Sequence, residues 1–227
     1  MRSKVRWLNL WLWIASVVFA LVSLTYQDRT GPTYPLEGTF QTAKGPVHFK
    51  FQRSEVIGTD LNLVLVDPLP PGATGHVTYR RYASSDAITK VPLTRGEFVF
   101  SRRGRSERLS GLGALLPSLR ERAGKYEFQV FVSDGVSAPV SVTGGSPIYA
   151  RYKADVPLSV LIVHVLVIFV SMALGVRTVL AVATGGAFRG LLWATTGSLL
   201  LGGFVLGPLV QLYAFGVLWA GVPYGWD

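Results

Sequence analysis

The chain has 227 residues, 49% of them hydrophobic and 15% charged, with 22 Lys and Arg against 13 Asp and Glu and a formal net charge of +9. That balance is too apolar for an ordinary soluble domain of this length. The absence of cysteine excludes disulfide staples, thiolate metal sites and a cysteine nucleophile.

The excess of apolar residues sits in three runs, Trp7 to Thr25, Pro157 to Val176 and Gly190 to Val210. Each is close to the ~20 residues that cross a bilayer core of ~30 Å as a helix. The chain therefore divides into an N-terminal transmembrane anchor over 1–26, a polar domain over 27–155 and a C-terminal membrane region over 156–227. Arg2, Lys4 and Arg6 precede the first run, and Arg177 and Arg189, with no acid, separate the second from the third. The positive-inside rule puts both of these basic segments in the cytoplasm and residues 27–155 on the other side, which in a bacterium with two membranes is the periplasmic side of the inner membrane. Trp7, Trp11, Trp13 and Tyr26 read as interfacial anchors. The alternative for the first run, a cleaved signal peptide, suits its basic start but not its length or the lack of a small-residue cleavage site.

Within the polar domain, Pro46 to Arg53 alternates Val47, Phe49 and Phe51 with polar residues, the period-2 mark of a half-buried strand. Leu61 to Val66, His76 to Ala83, Glu97 to Ser101, Lys125 to Ser133, Val136 to Val142 and Ile148 to Tyr152 read as further strands separated by turn residues. This pattern predicts an extracytoplasmic antiparallel β-sandwich of the immunoglobulin or fibronectin type III kind. Tyr126, at the start of a long strand, reads either as a tyrosine corner or as a plain core aromatic. Residues 102–124 interrupt the pattern and read as a basic loop carrying Arg102, Arg103, Arg105 and Arg108. Residues 28–155 hold 17 Lys and Arg against 12 Asp and Glu, a net of +5. The loop is either a face for anionic lipid or cell-wall polymer or a solvated segment that keeps the domain soluble. No base-stacking motif accompanies the arginines, and no nucleic acid is expected as a partner.

In the membrane region, His164 lies near the middle of the second run and is the one ionisable side chain within it. An ionisable group at that depth faces protein and is a functional candidate. It either hydrogen-bonds a neighbouring helix or serves a haem, a metal or a proton path. Without a visible second ligand it defines no metal site, so no cofactor is expected in the leading reading. Gly203 and Gly207 form a small-residue pair at the spacing of close helix packing, within the chain or between copies. The tail after residue 210 is apolar but broken by glycines and a proline, and Gln211, Tyr213, Trp219, Tyr224 and Asp227 read as a membrane-surface or re-entrant motif.

Four stretches carry a resemblance: Val77-Thr-Tyr-Arg-Arg-Tyr, Lys125-Tyr-Glu-Phe-Gln-Val, Ala150-Arg-Tyr-Lys-Ala-Asp-Val-Pro-Leu-Ser-Val-Leu-Ile-Val-His164, and the segment from Gly207-Pro-Leu-Val-Gln-Leu-Tyr-Ala-Phe-Gly to Trp219-Ala-Gly-Val-Pro-Tyr-Gly-Trp-Asp227. Together they resemble a family of uncharacterised bacterial integral membrane proteins with a fibronectin-like periplasmic domain. In that family the last motif continues into a polar Thr-Asp-Asn-Lys stretch and a further helix, so the resemblance implies that this chain stops short. It implies no activity. Ser-His-Asp sets, phosphate loops, metal-ligand spacings and dinucleotide fingerprints are absent from the sequence. The expectation is a non-enzymatic membrane protein whose outer domain serves interaction or assembly with the bilayer, a membrane-protein partner or further copies of itself. The rival is a haem- or metal-bearing or catalytic subunit that uses His164 and residues 211–227. Transport comes third, since three spans are few for a pathway.

Overall fold

The computed structural model describes residues 2–102, 105–135 and 138–219. The chain forms two compact units, one of residues 1–31 and 155–227 and the other Pro32–Ala154.

The second unit is a β domain of two sheets. The first sheet runs β1 (Leu36–Thr42), β2 (Gly45–Phe51), β4 (Leu61–Val66), β8 (Arg105–Leu116) and β7 (Thr94–Arg102), in that spatial order and antiparallel throughout. The second runs β3 (Ser54–Val56), β11 (Ile148–Lys153), β9 (Lys125–Ser133), β5 (Thr74–Arg81) and β6 (Thr89–Pro92), with β10 (Val140–Ser141) also on β9. Among the described residues its one parallel pairing is β3 with β11. Alternating residues of both sheets meet in one core, in which Phe51 from the first and Phe128 from the second stand edge to face at 6.2 Å. The chain changes sheet twice within nearly continuous strands. It does so at Gln52, whose amide groups bond Asn62 on both sides, and at Leu93, whose N–H donates to the Gly75 carbonyl.

The expected loop over 102–124 is a correction. Thr94–Arg102 and Arg105–Leu116 are the two arms of one long hairpin, paired from Thr94 with Gly113 to Arg102 with Arg105. Only the half of β8 from Gly111 onward also pairs with β4. The other half bends back over the outside of its own sheet, where Phe98 and Phe100 cover the fully buried Val64. The bend needs glycine: a Cβ at Gly111 would lie 1.9 Å from the Leu65 carbonyl oxygen, and one at Gly113 would lie 2.4 Å from the Phe98 ring. Asn62 Nδ2 donating to the Val99 carbonyl at 3.0 Å, and Lys50 reaching Glu107 at 2.7 Å, tie the arm down. Of the expected strand at 136–142 only Val140–Ser141 is paired, and residues 136 and 137 lie outside the described ones. Strand β1 was not anticipated from its sequence.

The first unit has three apolar helices: α1 (Arg2–Thr30), α2 (Leu158–Ala183), and a third that runs unbroken from Arg189 to Phe215. The third consists of α3 (Arg189–Leu199), a π-helical stretch (Leu200–Leu206) and α4 (Gly207–Phe215). All three are long and apolar enough to cross a membrane, and only 11%, 11% and 17% of their most apolar windows is buried. Their burial is inverted relative to the β domain. The buried residues are small or polar, among them Ser16, Ala20, Ser171, Ala173, Arg177, Thr178 and Ala181, while Leu, Val, Ile, Phe and Trp side chains point outward. The helices also run further than the apolar runs, and this moves two expected features. Arg177 is not in the connection between helices but inside α2, and Gln211 and Tyr213 belong to the last turns of α4 rather than to an irregular tail.

Candidate functional site

His164 is the seventh residue of the 26-residue α2. It therefore lies in the first third of that helix rather than at its middle, because the helix continues seven residues beyond the apolar run. The half-buried ring meets the π-helical stretch, where Nδ1 lies 3.1 Å from the Gly202 carbonyl oxygen. A carbonyl only accepts, so Nδ1 carries the proton. The same carbonyl takes the backbone N–H of Gly207, the i to i+5 bond that defines the π turn. In a neutral ring this bond leaves the lone pair on Nε2, the orientation in which a histidine presents itself as a ligand or proton acceptor.

The π turn also decides which glycines pack. A Cβ on Gly202 would come within 2.8 Å of Ile168 and 3.1 Å of Val167, so α2 rests directly on that glycine. Gly207 stands 3.7 Å from the His164 ring by the same measure, whereas Gly203 meets only Leu199 of its own helix at 3.8 Å. Within the chain the pair that faces α2 is thus Gly202 and Gly207, five apart, rather than Gly203 and Gly207, four apart. Wider winding brings i and i+5 onto one face. Further along, Thr178 and Thr195 hydroxyls meet at 3.2 Å between α2 and α3. Trp219, half exposed beyond α4, tilts against Phe204 at 5.9 Å. Tyr224 and Asp227 lie outside the described residues.

At the other end of α2 the structure assembles a group that the sequence did not announce. Arg177 is 8% exposed. Its Nη2 donates to Asn9 Oδ1 of α1, and its guanidinium lies 5.7 Å from the centre of the Trp13 ring. Its Nε and Nη1 are buried with no hydrogen-bond partner. The signal was available: Val176-Arg-Thr-Val-Leu-Ala-Val-Ala183 stays apolar on both sides of the arginine, so a helix reading need not stop there.

In the β domain, the described members of the basic group flank the hairpin turn. Arg102 ends β7, Arg105 and Arg108 are exposed on β8, and Arg103 lies outside the described residues. The outward face of the second sheet holds more than was anticipated. Arg80 pairs with Glu127 across β5 and β9, in a shallow groove of about 270 Å³ that Thr78, Ile88, Gln129 and Pro147 also line. Beside it Tyr82 and Tyr149, both exposed, stand edge to face at 5.3 Å, with the Lys125 ammonium 5.4 Å from the centre of the Tyr82 ring. His48 bonds Thr39 at 2.8 Å, and His76 stacks on Phe131 at 4.9 Å. Among the described residues no three His, Asp or Glu side chains are grouped to hold a metal ion. In the core, Tyr126 Oη donates to the Pro117 carbonyl at 3.0 Å, and the fully buried Tyr152 points its hydroxyl at the same oxygen from 3.4 Å. Burial pushes both phenols above their ordinary pKa, so they act as neutral donors.

No protein-family model, no curated protein and no solved structure matches the chain.

Proposed function

We propose that this chain is an integral protein of a bacterial cytoplasmic membrane, with an immunoglobulin-like periplasmic domain that serves interaction or assembly. The observation that carries the membrane reading is the inverted burial: three long helices hide Ser, Ala, Gly and Thr and turn their large aliphatic side chains outward. In water such a surface would be an aggregation hazard; in lipid it is the expected arrangement. Arg2, Lys4, Arg6, Arg177 and Arg189 then lie towards the cytoplasm and the β domain on the far side. The sandwich reading is supported by the shared core, by the parallel pairing of β3 with the last strand, and by the Tyr126 bond to a backbone carbonyl nine residues upstream, the bond of a tyrosine corner. For an interaction role the best surface is the Tyr82, Tyr149 and Arg80 face, since exposed aromatics and arginine are the residues that protein interfaces favour.

A reporter fused after residue 140 should be active only when exported, and one fused at Gly185 only when cytoplasmic; the opposite pattern overturns the topology. A photo-crosslinking side chain at position 149 of the full chain in membranes should give a discrete adduct that the same group at Leu115, exposed on the first sheet, does not. Equal labelling from both positions would remove the docking face.

The bond from His164 Nδ1 to Gly202 favours a second reading, a subunit that carries haem or a metal on Nε2. An absorption spectrum and metal analysis of the purified chain and of His164→Gln distinguish the two. A chromophore or metal lost in the variant, with folding unchanged, would favour the second.

A further inference from the structure

We infer that Arg177, with Asn9 and Trp13, forms a site for the phosphate of an anionic phospholipid in the cytoplasmic leaflet. The inference rests on the membrane reading above and adds a specific ligand to it. Arg177 is more than nine-tenths buried, yet two of its nitrogens, Nε and Nη1, have no partner among the described residues. A buried guanidinium with open donors is costly unless an acceptor fills them. Its own helices cannot supply a carboxylate, because the chain has no Asp or Glu between Met1 and Gln27 or between Val156 and Trp226. Among the described residues no acceptor stands by Nε or Nη1.

Depth selects the lipid. Arg177 is six residues before the end of α2, which is ~9 Å at the rise of an α-helix. A helix of 26 residues measures ~39 Å against a hydrocarbon core of ~30 Å, so a centred α2 puts Arg177 ~5 Å inside the core boundary, within reach of the headgroups for an arginine side chain. The exposed Trp7 and Trp11 mark the same end as interfacial, and Arg2, Lys4 and Arg6 add an attraction for anionic lipid there. Asn9 engages Nη2 of the guanidinium and the half-buried Trp13 ring lies against it, so Nε and Nη1, on different edges of the group, remain as charged donors for phosphate oxygens.

The full chain, purified in neutral detergent after its retention in alkali-washed membranes has been established, is titrated with dioleoyl phosphatidylglycerol or with dioleoylglycerol, which has the same acyl chains and no phosphate. Retained lipid is counted by native mass spectrometry. The unaltered chain should prefer the phosphatidylglycerol by about tenfold or more, the strength of hydrogen bonds to a charged partner. Arg177→Gln should abolish the preference, Arg177→Lys should keep part of it, and Arg189→Gln should leave it intact. Should Arg177→Gln fail to fold, a preference undiminished in Arg177→Lys overturns the site. So does equal retention of the two lipids, an equal loss in Arg189→Gln, displacement by millimolar inorganic phosphate, or a co-purifying subunit whose carboxylate cross-links to this position. A chain that alkali washes off the membrane refutes the membrane reading itself, and this inference with it; a chain that stays but shows no preference refutes only the lipid site.

Discussion

The β domain and the helical unit solve the same problem with opposite materials. In the β domain Phe51, Leu61, Leu63, Leu65, Phe128 and Tyr152 are fully or almost fully buried, and polar residues cover the outside. In the helices the contacts are made by Ser16, Ala20, Ala173, Ala181 and Gly202, and residues such as Leu158, Leu166, Val179 and Trp193 are exposed. The first scheme is driven by removing apolar surface from water and needs large interlocking side chains. The second gains from close backbone approach and hydrogen bonds between helices, and small residues give the closest approach. The difference teaches that hydrophobicity alone does not mark a contact; in half of this molecule it marks the absence of one.

The contrast can be broken most directly by the same truncation in both units. Phe128→Ala should cost about 3–5 kcal/mol in denaturant unfolding of the Pro32–Ala154 unit, because a fully buried aromatic leaves a cavity. Leu166→Ala, at a position 57% exposed, should leave the thermal midpoint of the membrane-reconstituted chain unchanged. A large loss there would mean that the outward leucines are protein contacts. Adding one methyl group sharpens the comparison. Gly111→Ala should destabilise the β domain by about 2 kcal/mol or more, since the new carbon would collide with a backbone oxygen. Gly202→Ala should be milder in a helix-unfolding assay, because Ile168, the flexible end of a side chain, is what stands in the way. Equal effects would show the helix contact to be as rigid as the sheet.

Smaller again is Tyr126→Phe, expected to cost about 1 kcal/mol for the lost bond to Pro117 while the ring still packs. A cost near zero would make the ring, not the corner, the reason for a tyrosine there. The least effect concerns Glu55, whose partial burial raises its pKa above the usual carboxylate range despite bonds from Gln52 and Val56. A carboxyl whose pKa is raised by folding favours the folded state while protonated and forfeits that advantage as the pH climbs through its folded value. Glu55→Gln should therefore match the unaltered domain at acid pH and be slightly more stable near neutrality, which pH-dependent unfolding checks. A variant less stable at neutral pH would show that the hydrogen bonds outweigh desolvation.

Much of this was legible where one physical rule governs each residue. Lys125 to Ser133 alternates because one face meets the core and the other meets water, and its strand was plain from the sequence. Strand β8 was not, because Gly111 to Ala114 is covered on both faces and Arg105 to Ser110 is an exposed arm, so neither half alternates in and out. Its arginines read as a loop for the same reason. The three apolar helices were evident from length and composition, but their ends were not, since a single arginine ended the expected second run while the backbone continued through it. At the candidate site, His164 was found by being ionisable among apolar neighbours. Its partner was missed because nothing local in Leu200–Leu206 announces a π turn, and without that turn Gly203 looks like the packing residue. Asn9 and Trp13 lie 168 and 164 positions from Arg177, and no periodicity joins residues so far apart.

The π turn makes the third helix sensitive to residue count as well as to chemistry. A stretch wound with five-residue bonds holds about one residue more than an α-helix advancing by the same turns, so everything after it is rotated by roughly the ~100° that one residue contributes. Deleting a single residue between Leu200 and Leu206 would let the segment relax to ordinary winding without breaking the helix. Yet it would remove the carbonyl geometry at Gly202 and re-aim the far end of the chain. Seven residues with no charge among them act as the phase setting for everything downstream.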